Sequence, residues 1–233
     1  MNYSTLFKDI KGYLENDFPA TSFTNSAGTG TATITSTEQI NTFITQAEQR
    51  IFNMVQFPSL RKNVTGTVTT NNKYLSAPDD FLASYSLAVV DATGAYSFLL
   101  NKDVNFIREA YPTPTDTGLP QHYALFGPNS TYPTELSFIL GPTPDATYTV
   151  ELHYFFYPES ITTANTSWLG DNFDSVLLYG SLVEGYTFMK GEPDVIAFYD
   201  KKYQDALMLA KRLGDGLERQ DAYRSGQARV PVT

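Results

Sequence analysis

Side chains able to do chemistry are few and scattered along the 233 residues of this chain. Its two histidines, His122 and His153, stand far apart, each in a stretch with strand texture, and no close pair of ligand-type residues has the spacing of a metal site. His153 lies in Glu151-Leu-His-Tyr, where alternation puts it beside Glu151 on one sheet face, the setting of a hydrogen-bonded surface histidine. Two acid pairs, Asp79-Asp80 and Asp171 with Asp174, are of the type that a glycosidase sets across a sugar bond. Each has a simpler reading. Pro78-Asp79-Asp80 suits a turn before a strand, and Asp171 with Asp174 suits a helix N-terminus, where the backbone dipole favours anions. Gly28 and Gly30 lack the further glycine and the lysine of a nucleotide loop, and no Gly-x-Ser-x-Gly elbow presents a serine. Without cysteine there is no thiolate nucleophile, no disulfide framework and no cysteine-held metal, which fits a reducing cytoplasm. This inventory points away from an enzyme and predicts no cofactor and no metal.

The elements that would position these residues fall into three blocks. Leu6, Ile10 and Tyr13-Leu14 predict a helix over 4–15, followed by a Thr/Ser/Gly-rich loop over 19–37 with a short extended piece at 32–34. Ser36 and Gln39 have capping-box spacing, and Ile40, Phe43, Ile44, Ala47, Ile51, Met54 and Val55 carry a second helix to about Phe57, where Pro58 stops it. The middle reads as sheet. Strands are expected at 64–68, from Lys73, and at 85–90, 96–100, 122–126, 135–140 and 147–157, with a helical stretch at 103–109. The last quarter reads as a helical hairpin, 175–190 and 193–213. Gly191 is placed for a left-handed cap between the two helices, and Pro193 for the first turn of the second. On the second helix, Val195, Phe198, Tyr199, Ala206, Leu209, Ala210 and Leu213 predict the face that packs on the first. The class is α+β. The N- and C-terminal helices (1–60 and 165–216) form a bundle, an antiparallel β-rich domain (61–164) is inserted in it, and an extended C-terminal arm (217–233) follows.

Composition sets the boundaries of function. A chain that is 42% hydrophobic can bury a real core, yet no apolar run approaches the roughly 20 residues that span a bilayer, and the N-terminus lacks a signal-peptide pattern. A net charge of −9 argues against a surface that wraps nucleic acid, since that needs clustered lysine and arginine. It suits the wall of a channel along which DNA must not stick. Tyrosine (16) and phenylalanine (16) are abundant, a bias that serves protein interfaces as well as β cores.

A resemblance gathers these observations. Ile40-Asn-Thr-Phe-Ile-Thr-Gln-Ala-Glu48-Gln-Arg-Ile51, Tyr74-Leu-Ser-Ala-Pro-Asp-Asp-Phe-Leu82, Phe106-Ile-Arg-Glu-Ala-Tyr111 with Gly118-Leu-Pro-Gln-His-Tyr123, Leu152-His-Tyr-Phe-Phe-Tyr-Pro158 and the span from Trp168 to Arg212 follow one another in an order similar to the head-to-tail adaptor proteins of tailed bacteriophages, of the tail-tubular or gatekeeper type. The resemblance covers most of the chain, and the long Thr/Gly segment over 21–37 departs from it. It implies a structural virion protein, made in the host cytoplasm and placed in the neck of the particle. There it would form a homo-oligomeric ring, usually of twelve subunits, between the capsid portal protein and a tail nozzle or neck protein. Double-stranded DNA would pass through without specific binding, and no membrane would be involved.

Two sets of residues follow as expected sites. In the arm, Arg219, Tyr223, Arg224 and Arg229 are expected to bind the portal or a neighbouring subunit, with the tyrosine as anchor and the arginines pairing with acids, the alternative being a frayed terminus. Asp171, Asp174 and Glu184 are expected either to face the channel or to be solvated acids at helix ends and faces. The rival functional class is a non-enzymatic β-rich binding module of a phage tail or baseplate, built on the aromatic strands at the centre of the chain.

Overall fold

The structure, a computed structural model, describes residues 1–24, 31–113, 115–127 and 136–224, without the side chains of Thr31 and of 214–224. It is a mixed α+β chain that divides into two compact units, one made of Met1–Ser59 with Pro158 onward, the other of Leu60–Tyr157.

The first unit is helical and centres on α6 (Asp174–Phe188). Nearly every side of this helix is apolar or small: Val176, Leu177, Leu178, Gly180, Ser181, Leu182, Val183 and Gly185 are all buried. A helix that is hydrophobic all round must be covered all round. Around α6 pack α1 (Tyr3–Leu14), α2 (Ser36–Met54), α5 (Trp168–Asn172) and α7 (Pro193–Arg224). Glycine makes two of these approaches close, since a Cβ on Gly185 would stand 2.6 Å from a Leu14 methyl, and one on Gly180 3.2 Å from Ala47 and from the Tyr203 ring. The short α4 (Ile161–Ala164) packs against α2.

Two helix caps in this unit differ from expectation by a single residue, and the last helix takes in 217–224, which were expected in the extended arm. The capping box of α2 is formed by Thr35 and Glu38, not by Ser36 and Gln39. Both pairs have the spacing, but the carboxylate is the stronger acceptor for the backbone N–H of Thr35, and Gln39 is buried with its amide donating to Pro19 O. At the end of α6 the left-handed residue is Lys190 (φ 56°), not Gly191. The N–H of Gly191 reaches Tyr186 O and that of Lys190 reaches Thr187 O, the bond pair of a Schellman motif, and a Cβ at Gly191 would stand 3.0 Å from the Tyr186 ring. The second helix does not stop at Leu213. It runs on to Arg224 through Leu217-Glu-Arg-Gln-Asp-Ala, a series of helix formers that outweighs Gly214 and Gly216. Between α1 and α2, β1 (Thr21–Thr24) pairs with β2 (Thr31–Ile34) in an antiparallel ribbon of which only the second strand was expected.

The second unit is a sandwich of two four-stranded sheets with a helix on its outside. The first sheet has the order β3 (Arg61–Val68), β10 (Tyr148–Phe155), β5 (Ala83–Val90), β6 (Tyr96–Phe98). The second has β4 (Tyr74–Ser76), β9 (Ser137–Gly141), β8 (His122–Phe126), β7 (Leu100–Asn101). Between them lie Leu87, Val89, Val150, Leu152 and Tyr154 from one side and Phe138, Leu140 and Tyr123 from the other, with Phe81 edge-on to Phe138. Strand β10 alternates buried and half-buried residues, whereas β9 is buried throughout because α3 (Val104–Ala110) covers its second face through Ile107.

The stretch 96–100, read as one strand, is two. Leu99 enters the core and its N–H bonds Leu87 O, so β6 ends in the first sheet and β7 begins in the second. Strand β7 then pairs with β8 in parallel, α3 forming the crossover that a parallel pair requires, and the unit is therefore not wholly antiparallel. Residue 135, where one strand was expected to start, lies outside the described residues.

Candidate functional site

The two histidines and Asp80 have structural occupations, and Gly28 and Gly30 lie outside the described residues. His122 lies on β8 with its Nδ1 3.1 Å from the Tyr111 hydroxyl and its ring against Phe106, and His153 lies on β10 with Nε2 2.8 Å from Glu151 Oε1. The two histidines stand in different sheets. Asp80 sits in the turn before β5, where it accepts from Lys62 at 2.8 Å and from the buried Tyr154 hydroxyl at 2.7 Å. Burial works to raise its carboxyl, but these two hydrogen bonds together hold it below the usual carboxylate range. Among the described residues no group of three or more histidines and acids is placed to hold a metal, and no helix is long and apolar enough to cross a membrane.

What stands out instead is apolar surface. On α7 the buried stripe is Tyr203, Leu207 and Ala210, while Phe198, Met208, Leu209 and Leu213 are exposed, Leu209 at 62%. The expected packing face therefore mixed two stripes: Ala210 turns inward, and Phe198, Leu209 and Leu213 turn outward. Periodicity locates apolar faces without saying which one the fold itself covers.

A second exposed surface is the outer face of the first sheet. Tyr96 and Phe98 stack there at 6.3 Å beside Glu151 and His153, over a shallow depression of about 320 Å³ also lined by Ser86 and Ala88. Farther along, the Arg61 guanidinium lies over the Tyr85 ring, 5.0 Å from its centroid, with Phe155 beside it. Solvated aromatics in this density mark surfaces that meet other molecules.

The sequence model of the SU10 adaptor protein family matches residues 1–231. The chain belongs to the SU10 adaptor family. A search of the curated proteins finds no match to the chain. Membership makes it a structural virion component of the connection between phage head and tail, one that meets other head and tail components.

The adaptor distributes its expected site residues unevenly. Asp171 is exposed in the first turn of α5, 3.8 Å from the Met1 ammonium, and Asp174 is exposed in the first turn of α6. Glu184 is mostly covered, on the side of α6 that faces α2, and is engaged by the Arg50 guanidinium. Arg219, Tyr223 and Arg224 occupy the last turns of α7, and Arg229 lies outside the described residues. Two residues that sequence reasoning did not single out hold the helices together: Arg50, and Glu48, which is buried with its Oε1 3.0 Å from the Ile161 N–H. Glu48 had a legible signal, a charge standing on the apolar stripe between Ile44 and Ile51.

Proposed function

We propose that this adaptor is the repeating subunit of a ring, twelve copies strong, seated between the capsid portal and a tail nozzle or neck protein and forming part of the channel through which DNA leaves the head. The observation that carries this reading is the set of apolar side chains on α7, Phe198, Met208, Leu209 and Leu213, that the subunit's own fold leaves exposed among charged neighbours such as Lys202 and Asp205. A cyclic assembly repeats one heterologous contact, and an exposed apolar helix flank next to a neighbour supplies it. The helix continues past these residues to Arg224, and the arm that follows carries Arg229. In this proposal Arg219, Tyr223, Arg224 and Arg229 bind acidic groups of the portal or of a neighbouring subunit. A chain of net charge −9 lines the channel without gripping phosphate, with Asp171 and Asp174 as its inward acids, while Arg50 offsets the charge of Glu184.

The test is to mix the purified chain with its portal ring and examine the mixture by size-exclusion chromatography with light scattering and by negative-stain imaging. A stoichiometric second ring on the portal's tail-side face supports the proposal, and failure to bind, with or without a tail partner, rejects it. Truncation after Leu217 tests the arm, which must weaken docking if it reaches the portal. The stacked pair Tyr96 and Phe98 beside Glu151 and His153 favours a second reading, a β-rich binding module of a tail or baseplate, and this becomes the better one if the portal is not bound.

A further inference from the structure

Two uncharged stretches of the adaptor, 63–72 and 21–37, present strand edges. The first takes in most of β3. Of the four edge strands in the two sheets of the second unit, β4, β6 and β7 are two or three residues long, short enough to offer little to a passing strand. Strand β3 is eight residues long and pairs only with β10 among the described strands, so its other side is a row of backbone donors and acceptors. Its residues from Lys62 to Thr67 are exposed. Proline, inward charge and a bulge are the usual guards; β3 has no proline and no register shift, and its charges are confined to its start, where Lys62, opposite the buried Tyr154, is tied to Asp80, while the run from Asn63 to Asn72 carries none.

The second is the ribbon of β1 and β2. It forms a sheet of its own, and every residue whose side chain is described in it is exposed, including Phe23 and Ile34. The whole run from Thr21 to Thr37 is without charge. An isolated two-stranded ribbon is marginal in water and gains stability only by packing or by joining more strands.

We propose that the β1–β2 ribbon of one copy adds to the outer edge of β3 in a second copy, extending the four-stranded sheet across the subunit boundary. Three observations select a second copy as the occupant. Copies of charge −9 repel one another, so the contacts cheapest to form lie where neither copy is charged, and these two stretches meet that condition. Their side chains also match, since Val64, Thr65 and Thr67 on one side face a ribbon built from Thr, Ser and Ala with Phe23 and Ile34. Threonine and β-branched neighbours are favourable across strands, as the 2.8 Å hydroxyl contact of Ser22 with Thr33 already illustrates within the ribbon. Finally, donor and acceptor patches are different parts of the chain, so the contact is heterologous and closes into a ring or propagates, as a ring subunit needs. The inference rests on the ring reading above and assigns one of its interfaces.

The absence of cysteine makes the test clean. Two full-length variants, Ser22→Cys and Thr65→Cys, are mixed, assembled on the portal ring, and treated with a bis-maleimide whose reach of ~10 Å spans two strand spacings, so that either strand of the ribbon can be the one that pairs. Covalent pairs joining one variant to the other are expected in the assembled fraction and not in the free chain. In parallel, Thr67→Lys, on the outer face of β3 opposite the exposed Thr149, is expected to weaken assembly by about tenfold or more. Rings that form on the portal without such pairs, or that form equally well with Thr67→Lys, overturn this contact and leave the ring reading standing. A chain that forms no assembly with the portal overturns both.

Discussion

The backbone N–H of Ile161 donates to Glu48 Oε1 at 3.0 Å, so a carboxylate buried on α2 completes the first turn of α4. Burial raises the Glu48 carboxyl above its ordinary value, and the hydrogen bonds from Ile161 and Ser160 only partly offset this. A raised carboxylate favours the fold in its protonated form. The contribution of Glu48 is therefore fullest below the ordinary carboxylate range and is lost as pH rises through the higher folded value. Glu48→Gln should lack this pH dependence and stay within about 1 kcal/mol of the parent at neutral pH, whereas Glu48→Ala, which strands the Ile161 N–H, should cost about 1–3 kcal/mol. Urea unfolding of the three proteins at several pH values measures both effects.

The same stretch of α2 carries Arg50, whose guanidinium engages Glu184 on α6. The arginine is about a third exposed and the glutamate largely covered, so removing the cation leaves the more buried partner alone. Arg50→Ala is expected to cost about 1–2 kcal/mol, less than for a fully buried pair because solvent screens part of the interaction. The double variant with Glu184→Ala should cost less than the sum of the two single changes. A double-mutant cycle by denaturant unfolding decides it, and strict additivity would show that the pair contributes nothing.

How far these features could be read from sequence differs by element. Local chemistry was legible: the alternation of β10, the Glu151 and His153 pair, the turn at Asp79-Asp80 and the two long C-terminal helices all follow from residue order. What escaped depended on what a segment packs against. Two competing caps, Thr35 with Glu38 and Ser36 with Gln39, are equal in spacing, and the carboxylate of Glu38 and the burial of Gln39 together separate them. Leu99 reads as mid-strand until the core between the two sheets draws it inward and splits the strand. For the candidate surface the abundance of aromatics was plain, but which of them stay outside was not, because Leu207 and Leu209 are equally apolar and only the three-dimensional partner distinguishes them.

Asp80 gives the β unit an acid limit. Its carboxyl accepts from Lys62 and from the Tyr154 hydroxyl and is held below the usual range. A depressed carboxylate stabilises the fold above its ordinary value, about pH 4, and that stabilisation fades as pH falls through the lower folded value. Asp80→Asn should therefore be less stable than the parent at neutral pH, with the gap closing below about pH 4. Tyr154→Phe, which keeps the buried ring and removes only its hydroxyl, should cost about 1 kcal/mol. Thermal unfolding across pH tests the pair, and a gap that is constant down to pH 2 would exclude the assignment.

Leu207 and Leu209 differ by two positions on α7, one 1% exposed and the other 62%. Leu207 packs inside the helical unit with Tyr203 and Ala210 on the same stripe, so Leu207→Ala removes buried methyls and leaves a cavity, an expected loss of about 2–5 kcal/mol. Leu209→Asp changes no internal contact of consequence and should leave stability within about 0.5 kcal/mol. Its effect belongs to assembly, because an aspartate on the uncovered stripe places a charge in an apolar contact that a ring neighbour must desolvate. The expected result is a folded, monodisperse Leu209→Asp subunit that fails to add a ring to the portal. Normal ring formation by this variant would remove the stripe from the subunit interface.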